Sequence, residues 1–195
     1  MNYRIILVIL AGILTVVPII PYIADVIKQK TKPRVVTWFI WSLLTGISAV
    51  AALSEAQYTT GAFLIMASLC TFSVVLIGWK NSDKKIQKLD IVCLISALTG
   101  VLLWVIFNSP SVAVVAAVLI DVIGGIPTQV HSWKKPEEET LAFFWISCLG
   151  AVCALLTLSD WRITSFFYIG YLFLINLEQT ILIICRRRYL KIKRR

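Results

Sequence analysis

"KTKPRVVTWFIWS", residues 30–42, returns in the second half of the chain as "KKPEEETLAFFWIS", residues 134–147. Each stretch passes from a basic loop through a proline into an aromatic, apolar run. Aligned on Pro33 and Pro136, Thr37 falls on Thr140. One added residue brings Trp41 onto Trp145, and a second brings Ser54 onto Ser159, Glu55 onto Asp160 and Thr59 onto Thr164. The segments that precede them correspond as well, since "PYIADVIKQK" from Pro21 and "PTQVHSWKK" from Pro127 each carry an apolar run through a proline into basic residues. The chain therefore repeats a unit of three apolar runs.

Composition says what those runs are. Hydrophobic residues make up 59% of the chain and charged residues 15%, with a mean hydropathy of +0.87; a soluble domain is roughly 45–50% apolar even with glycine counted. An α-helix needs about 20 apolar residues to cross a hydrocarbon core roughly 30 Å thick. Seven runs approach or exceed that length: 5–26, 36–54, 60–79, 90–107, 110–130, 141–158 and 164–185. The first outruns the roughly 7–15-residue core of a cleavable signal and closes on no small-residue cleavage site, so it is read as a span. Backbone groups in lipid must be satisfied within their own segment. The expected fold is an all-α integral membrane protein of seven transmembrane helices.

Charge gives the expected orientation. Of 19 Lys and Arg, all but Arg4 and Arg162 fall on one side: Lys28 to Arg34 after the first run, Lys80 to Lys88 after the third, Lys134 and Lys135 after the fifth, and Arg186 to Arg195 at the end. Short cytoplasmic loops collect such residues, which predicts an outside N-terminus and a cytoplasmic C-terminus in a cell membrane. Both triplets then start on the same side, and the fourth run returns the chain between them. The expected organisation is a first triple-helix bundle over 1–80, a linker helix over 81–108, a second triple-helix bundle over 109–185 and a basic tail over 186–195. The net charge of +9 is spread through juxtamembrane loops, which suits anionic lipid at the cytoplasmic face rather than nucleic acid. Cys70, Cys93, Cys148, Cys153 and Cys185 lie in or at the ends of apolar runs without metal-ligand spacing, as small buried hydrophobes do.

Polar residues inside the runs are the candidate site. Asp121 lies about eleven residues into the fifth run, roughly 16 Å at 1.5 Å per residue, and Glu178 lies deep in the seventh. A carboxylate there costs at least about 2.5–3.5 kcal/mol if charged, so it faces a partner or a cavity. Both are candidates to load and release a proton; the alternative is a neutral group bonded to a neighbouring helix. Asn176 and Gln179 share one helix face and Glu178 points elsewhere. Thr71 falls on Asn176 in the repeat. Trp41 and Trp145 can stack on a ligand, and simple packing is the competing reading for all of these. Pro21 and Pro127, with Pro18, Gly124 and Gly125, are candidate hinges where a helix can bend.

At the level of topology the chain resembles the PQ-loop superfamily, which includes the SWEET and SemiSWEET carriers. The Pro-Gln motif of that family is similar to Pro127-Thr128-Gln129 and, without the Gln, to Pro21-Tyr22. The resemblance implies two parallel triple-helix bundles joined by an inverting linker helix, a 3+1+3 arrangement. It also implies a substrate site at Asn176 and Thr71, where SWEET carriers place an Asn on each helix.

Two function classes follow. One is a carrier for a small polar solute such as a sugar, an amino acid or a vitamin-like molecule, with proton coupling left open. The other is a membrane receptor or assembly partner of the same fold, as the resembling KDEL receptors are. The sole His, His131, stands in a loop, and the chain holds neither a phosphate-cradling glycine loop nor a recognisable catalytic set. No enzyme, cofactor, metal or nucleic-acid partner is expected; an oligomer is compatible with the sequence.

Overall fold

A computed structural model of the chain describes residues 3–31, 33, 35–79, 88–107 and 109–193. Lys32, Arg34, Lys80, Lys84, Lys85, Arg194 and Arg195 of the charge pattern lie outside the described residues, as do the side chains of Cys93 and Pro127. The described chain is all-helical and contains no strand. Its α-helices are α1 (Tyr3–Val16), α2 (Ile19–Ile27), α3 (Val35–Ser54), α4 (Tyr58–Gly78), α5 (Lys88–Phe107), α6 (Pro110–Lys134), α7 (Leu141–Leu156) and α8 (Ile163–Lys193). A short 3₁₀ turn, Pro136–Glu138, precedes α7.

Five segments are long and apolar enough to cross a membrane: α1 with α2 (Tyr3–Ile27), α3, α4, α6 and most of α8. The shorter α7 is also apolar, at 16 residues, and α5 is a 20-residue helix. This is compatible with a multi-pass membrane protein. The outer surface fits that reading, since Ile5, Ile9, Leu69, Leu76, Leu119, Leu174 and Ile181 are all exposed; lipid tails solvate such side chains as well as a protein core does. At 31 residues, α8 is about 46 Å long at 1.5 Å per residue, longer than a hydrocarbon core of roughly 30 Å, and its last turns bear Arg186 to Lys191.

Proline sets the break in the first segment. Pro18 offers no N–H to the carbonyl of Leu14 and its ring crowds that oxygen, which interrupts an α-helix. The helix stops after Val16 and resumes at Ile19. Pro21 sits in the first turn of α2, where the missing N–H costs little, and Pro127 lies within an unbroken α6. The freed Leu14 carbonyl packs against α7 at Gly150, where a Cβ would lie 3.2–3.3 Å from the Leu14 Cβ, C and O atoms. A side chain there would press the two helices apart by a few tenths of an ångström.

Two left-handed residues end helices without glycine. Gln29 (φ 57°) follows α2 and Ala56 (φ 59°) follows α3. The Gln57 N–H reaches Ala52 O at 2.9 Å and the Ala56 N–H reaches Leu53 O at 3.0 Å, while Lys30 and Gln29 bond Asp25 O and Val26 O in the same way. This is the Schellman pattern, which satisfies carbonyls that a helix end leaves orphaned.

The helices pack as close pairs: α3 on α4, α7 on α8, α1 on α7, α3 on α6, and α6 on α8, with α5 against α6. Two cores result. One is built largely from small residues, including Ala11, Ala49, Ala113, Ala117 and Ala151 with Tyr168 and Leu44, the composition that lets membrane helices approach closely. The other lies toward the basic end and is aromatic. Tyr22, Trp38 and Phe143 sit 4.7–5.2 Å apart, flanked by Trp41 and Phe144.

Candidate functional site

Between the two cores is a cavity of about 110 Å3, measured as space open to water-sized spheres. Helices of both repeats line it. The first contributes Thr15, Trp41, Thr45 and Thr71; the second contributes Asp121, Phe143, Phe144, Tyr171, Asn176 and Gln179. Five of the residues singled out in the sequence, Trp41, Thr71, Asp121, Asn176 and Gln179, thus meet in one place.

Asp121 is the one carboxylic acid among the described residues of the cavity lining. It is 4% exposed. Tyr168 Oη donates to its Oδ2 at 3.2 Å, and Tyr168 in turn lies 3.1 Å from Thr45 Oγ1. The other carboxyl oxygen, Oδ1, has no partner, and neither has Oε1 of Gln179, which is also 4% exposed. Several donors around the cavity are turned to helix carbonyls, while the Tyr171 hydroxyl faces Asp121. Thr15, Thr45 and Thr71 donate to carbonyls of their own helices at 2.7, 2.8 and 2.9 Å, and Asn176 Nδ2 donates to Leu172 O at 2.7 Å.

The remaining candidates stand apart from this cavity. Glu178 is on the exposed side of α8, where its Oε2 accepts from Gln129 Nε2 at 3.2 Å. The helical turn that points Asn176 and Gln179 inward points Glu178 away, toward α6. Trp145 is 46% exposed and does not line the cavity. Without the added residue in the repeat, Trp41 falls on Phe144, which does. Tyr168 and Tyr171 escape the sequence reading altogether. Their signal is a polar stripe at helical spacing on one face of α8: Tyr168, Tyr171, Asn176 and Gln179.

Polar clusters flank the cavity at each end. At the end away from the basic loops, Arg162 bridges Glu55 (3.5 Å) and Asp160 (2.9 Å), the two acids that the repeat equates. Gln57 donates to Asp160 at 2.9 Å, Ser165 donates to it at 2.7 Å, and Thr164 donates to Glu55. The bond from Ser165, reinforced by Arg162, holds the Asp160 carboxyl below the usual carboxylate range. At the basic end Thr140 donates to Asp25 at 2.8 Å and lies 2.9 Å from Thr31. Arg187 caps the Pro136 and Glu139 carbonyls at 2.9 and 2.7 Å. Burial and the neighbouring Glu138 push the Glu139 carboxyl up to about 8, against the opposing pull of Arg187.

A second cavity, near Val8, Gly12, Tyr58, Phe63 and Met66, is larger but holds no ionisable group beyond the Tyr58 phenol. No cluster of His, Cys, Asp and Glu suited to a metal occurs among the described residues. Comparison with family profiles, curated proteins and solved structures yields no match for this chain.

Proposed function

We propose that this chain is a membrane carrier that moves a small polar solute by alternating access and couples the movement to protons at Asp121. The observation that carries the reading is a cavity walled by helices from both halves of the chain, with the buried carboxyl group of Asp121 on its lining. Ionisable groups at such depth commonly mark a transport path. The packing pattern adds support for two triple-helix bundles, α1 to α4 and α6 to α8, joined by α5. Exchanging the bundles turns the α1–α7 contact into α6–α3, the α3–α4 contact into α7–α8 and the α1–α4 contact into α6–α8, and all of these occur. The polar clusters at the two ends join one repeat to the other, as elements that part and close in turn would. A receptor requires a ligand surface at one end only, and a mid-helix cavity favours the carrier.

Substituting Asp121 tests coupling. Asn keeps the size and hydrogen-bonding capacity of Asp without a titratable charge. Asp121→Asn is expected to leave expression and detergent stability near wild type, to abolish proton-driven accumulation in proteoliposomes and to retain only some substrate binding or exchange. Normal pH-dependent accumulation by this variant overturns the coupling, and a structural role is then shown by Asp121→Leu alone being destabilised, as its Tyr168 partner is stranded.

A further inference from the structure

The balance of donors and acceptors in the cavity narrows its ligand. Asp121 Oδ1 and Gln179 Oε1 are buried acceptors without a protein partner, whereas the Thr15, Thr45 and Thr71 hydroxyls and one N–H of Asn176 donate to carbonyls of their own helices. Among the described residues lining the cavity there is no Lys, Arg or His, and Asp121 is the one acid. Trp41, Phe63, Phe143, Phe144 and Tyr171 supply aromatic wall.

We propose that the cavity takes a small organic cation, a protonated amine carried on an apolar or aromatic body, with the ammonium group donating to Asp121 and Gln179. This rests on the carrier reading and names its substrate class. An ammonium brings donors and no acceptors, the complement of Asp121 Oδ1 and Gln179 Oε1. Its charge offsets the buried carboxylate, and aromatic faces attract it further. An anion meets Asp121 with no cation to receive it. A sugar brings hydroxyl oxygens that lose water and meet Thr15, Thr45 and Thr71 hydroxyls already donating to helix carbonyls. The titratable groups facing Asp121 are Tyr168 and Tyr171, the latter also within electrostatic reach of Glu178. The carboxylate holds a proton or an ammonium, not both, so the two are exchanged.

The test compares near-isosteric ligands on the purified full chain in detergent, by thermal shift and by tryptophan fluorescence: 2-phenylethylamine, 2-phenylethanol and phenylacetate, with glucose alongside. The amine is expected to stabilise the protein and the other three are not. Asp121→Asn is expected to weaken amine binding by about 10- to 100-fold, the range for losing a charged hydrogen bond. Equal binding of the alcohol or the acid, failure of the amine to bind, or undiminished amine binding by Asp121→Asn each overturns the proposal. If that variant does not fold, the ligand series on the unaltered chain decides. Uptake in proteoliposomes separates the two readings: an amine that binds but does not cross sinks the carrier and keeps the cation site, while transported glucose with no amine binding does the reverse.

Discussion

Gly150→Ala tests the close crossing of α1 and α7. The added methyl meets Leu14 Cβ at 3.2 Å and the Leu14 backbone C and O at 3.3 Å, inside the roughly 3.5–4.0 Å at which carbon contacts are favourable. Backbone cannot rotate aside as a side-chain tip can, so the crossing must open by a few tenths of an ångström. Overpacking of this kind costs about 1–3 kcal/mol, and Ala returns up to about 1 kcal/mol of helix propensity over Gly. The net expectation is a loss between about zero and 2 kcal/mol, growing with Gly150→Val. Gly170→Ala is the internal control, because a Cβ on Gly170 in α8 has no atom within 4 Å; it keeps the propensity gain and lacks the clash. The two alanine variants should therefore differ by about 1–3 kcal/mol. Unfolding in mixed detergent, followed by tryptophan fluorescence, measures that difference. Equal stability for Gly150→Ala and Gly170→Ala refutes the idea that the carbonyl freed by Pro18 sets the helix spacing.

Ala56→Gly relieves a left-handed residue (φ 59°) and should stabilise the α3–α4 hairpin by about 0.5–1 kcal/mol, less what the unfolded chain gains in freedom; a lower midpoint in the same unfolding assay counts against the Schellman reading. For Glu139, the folded carboxyl is raised from 4.5 to about 8, so the folded state binds more protons between those values. Its contribution is complete below about pH 4.5 and fades as pH rises toward 8. Glu139→Gln should flatten that decline, and an unchanged stability profile over pH 5–8 shows that the carboxyl is not buried as described. Orientation is checked by reporters: one active only outside should work after residue 57 or 161, and one active only in the cytoplasm should work after residue 195. A C-terminus found outside removes the charge argument.

Sequence alone indicated the apolar runs that the helices occupy and which residues within a run share a face, but not the break at Pro18 or the extension of α6 through His131 and of α8 to Lys193. The apolar runs are long, prolines and charges punctuate them, and a period of 3.6 residues groups Asn176 with Gln179 and separates Glu178 from both. Asp121 was conspicuous because a carboxylate amid apolar residues is costly wherever the helix turns. Tertiary structure decided which faces meet. The repeat paired Trp41 with Trp145, yet it is Phe144 that lines the cavity and Trp145 is turned outward. The same packing brought Tyr168, far along the chain, to Asp121, and aimed the Leu14 carbonyl at Gly150. A helix that is apolar on every side carries little contrast between its lipid face and its protein face, because hydrocarbon and protein core suit the same side chains. Rotation about the helix axis is then fixed by small residues, freed carbonyls and buried hydrogen bonds on neighbouring helices, and these are relations between segments rather than properties of any one of them.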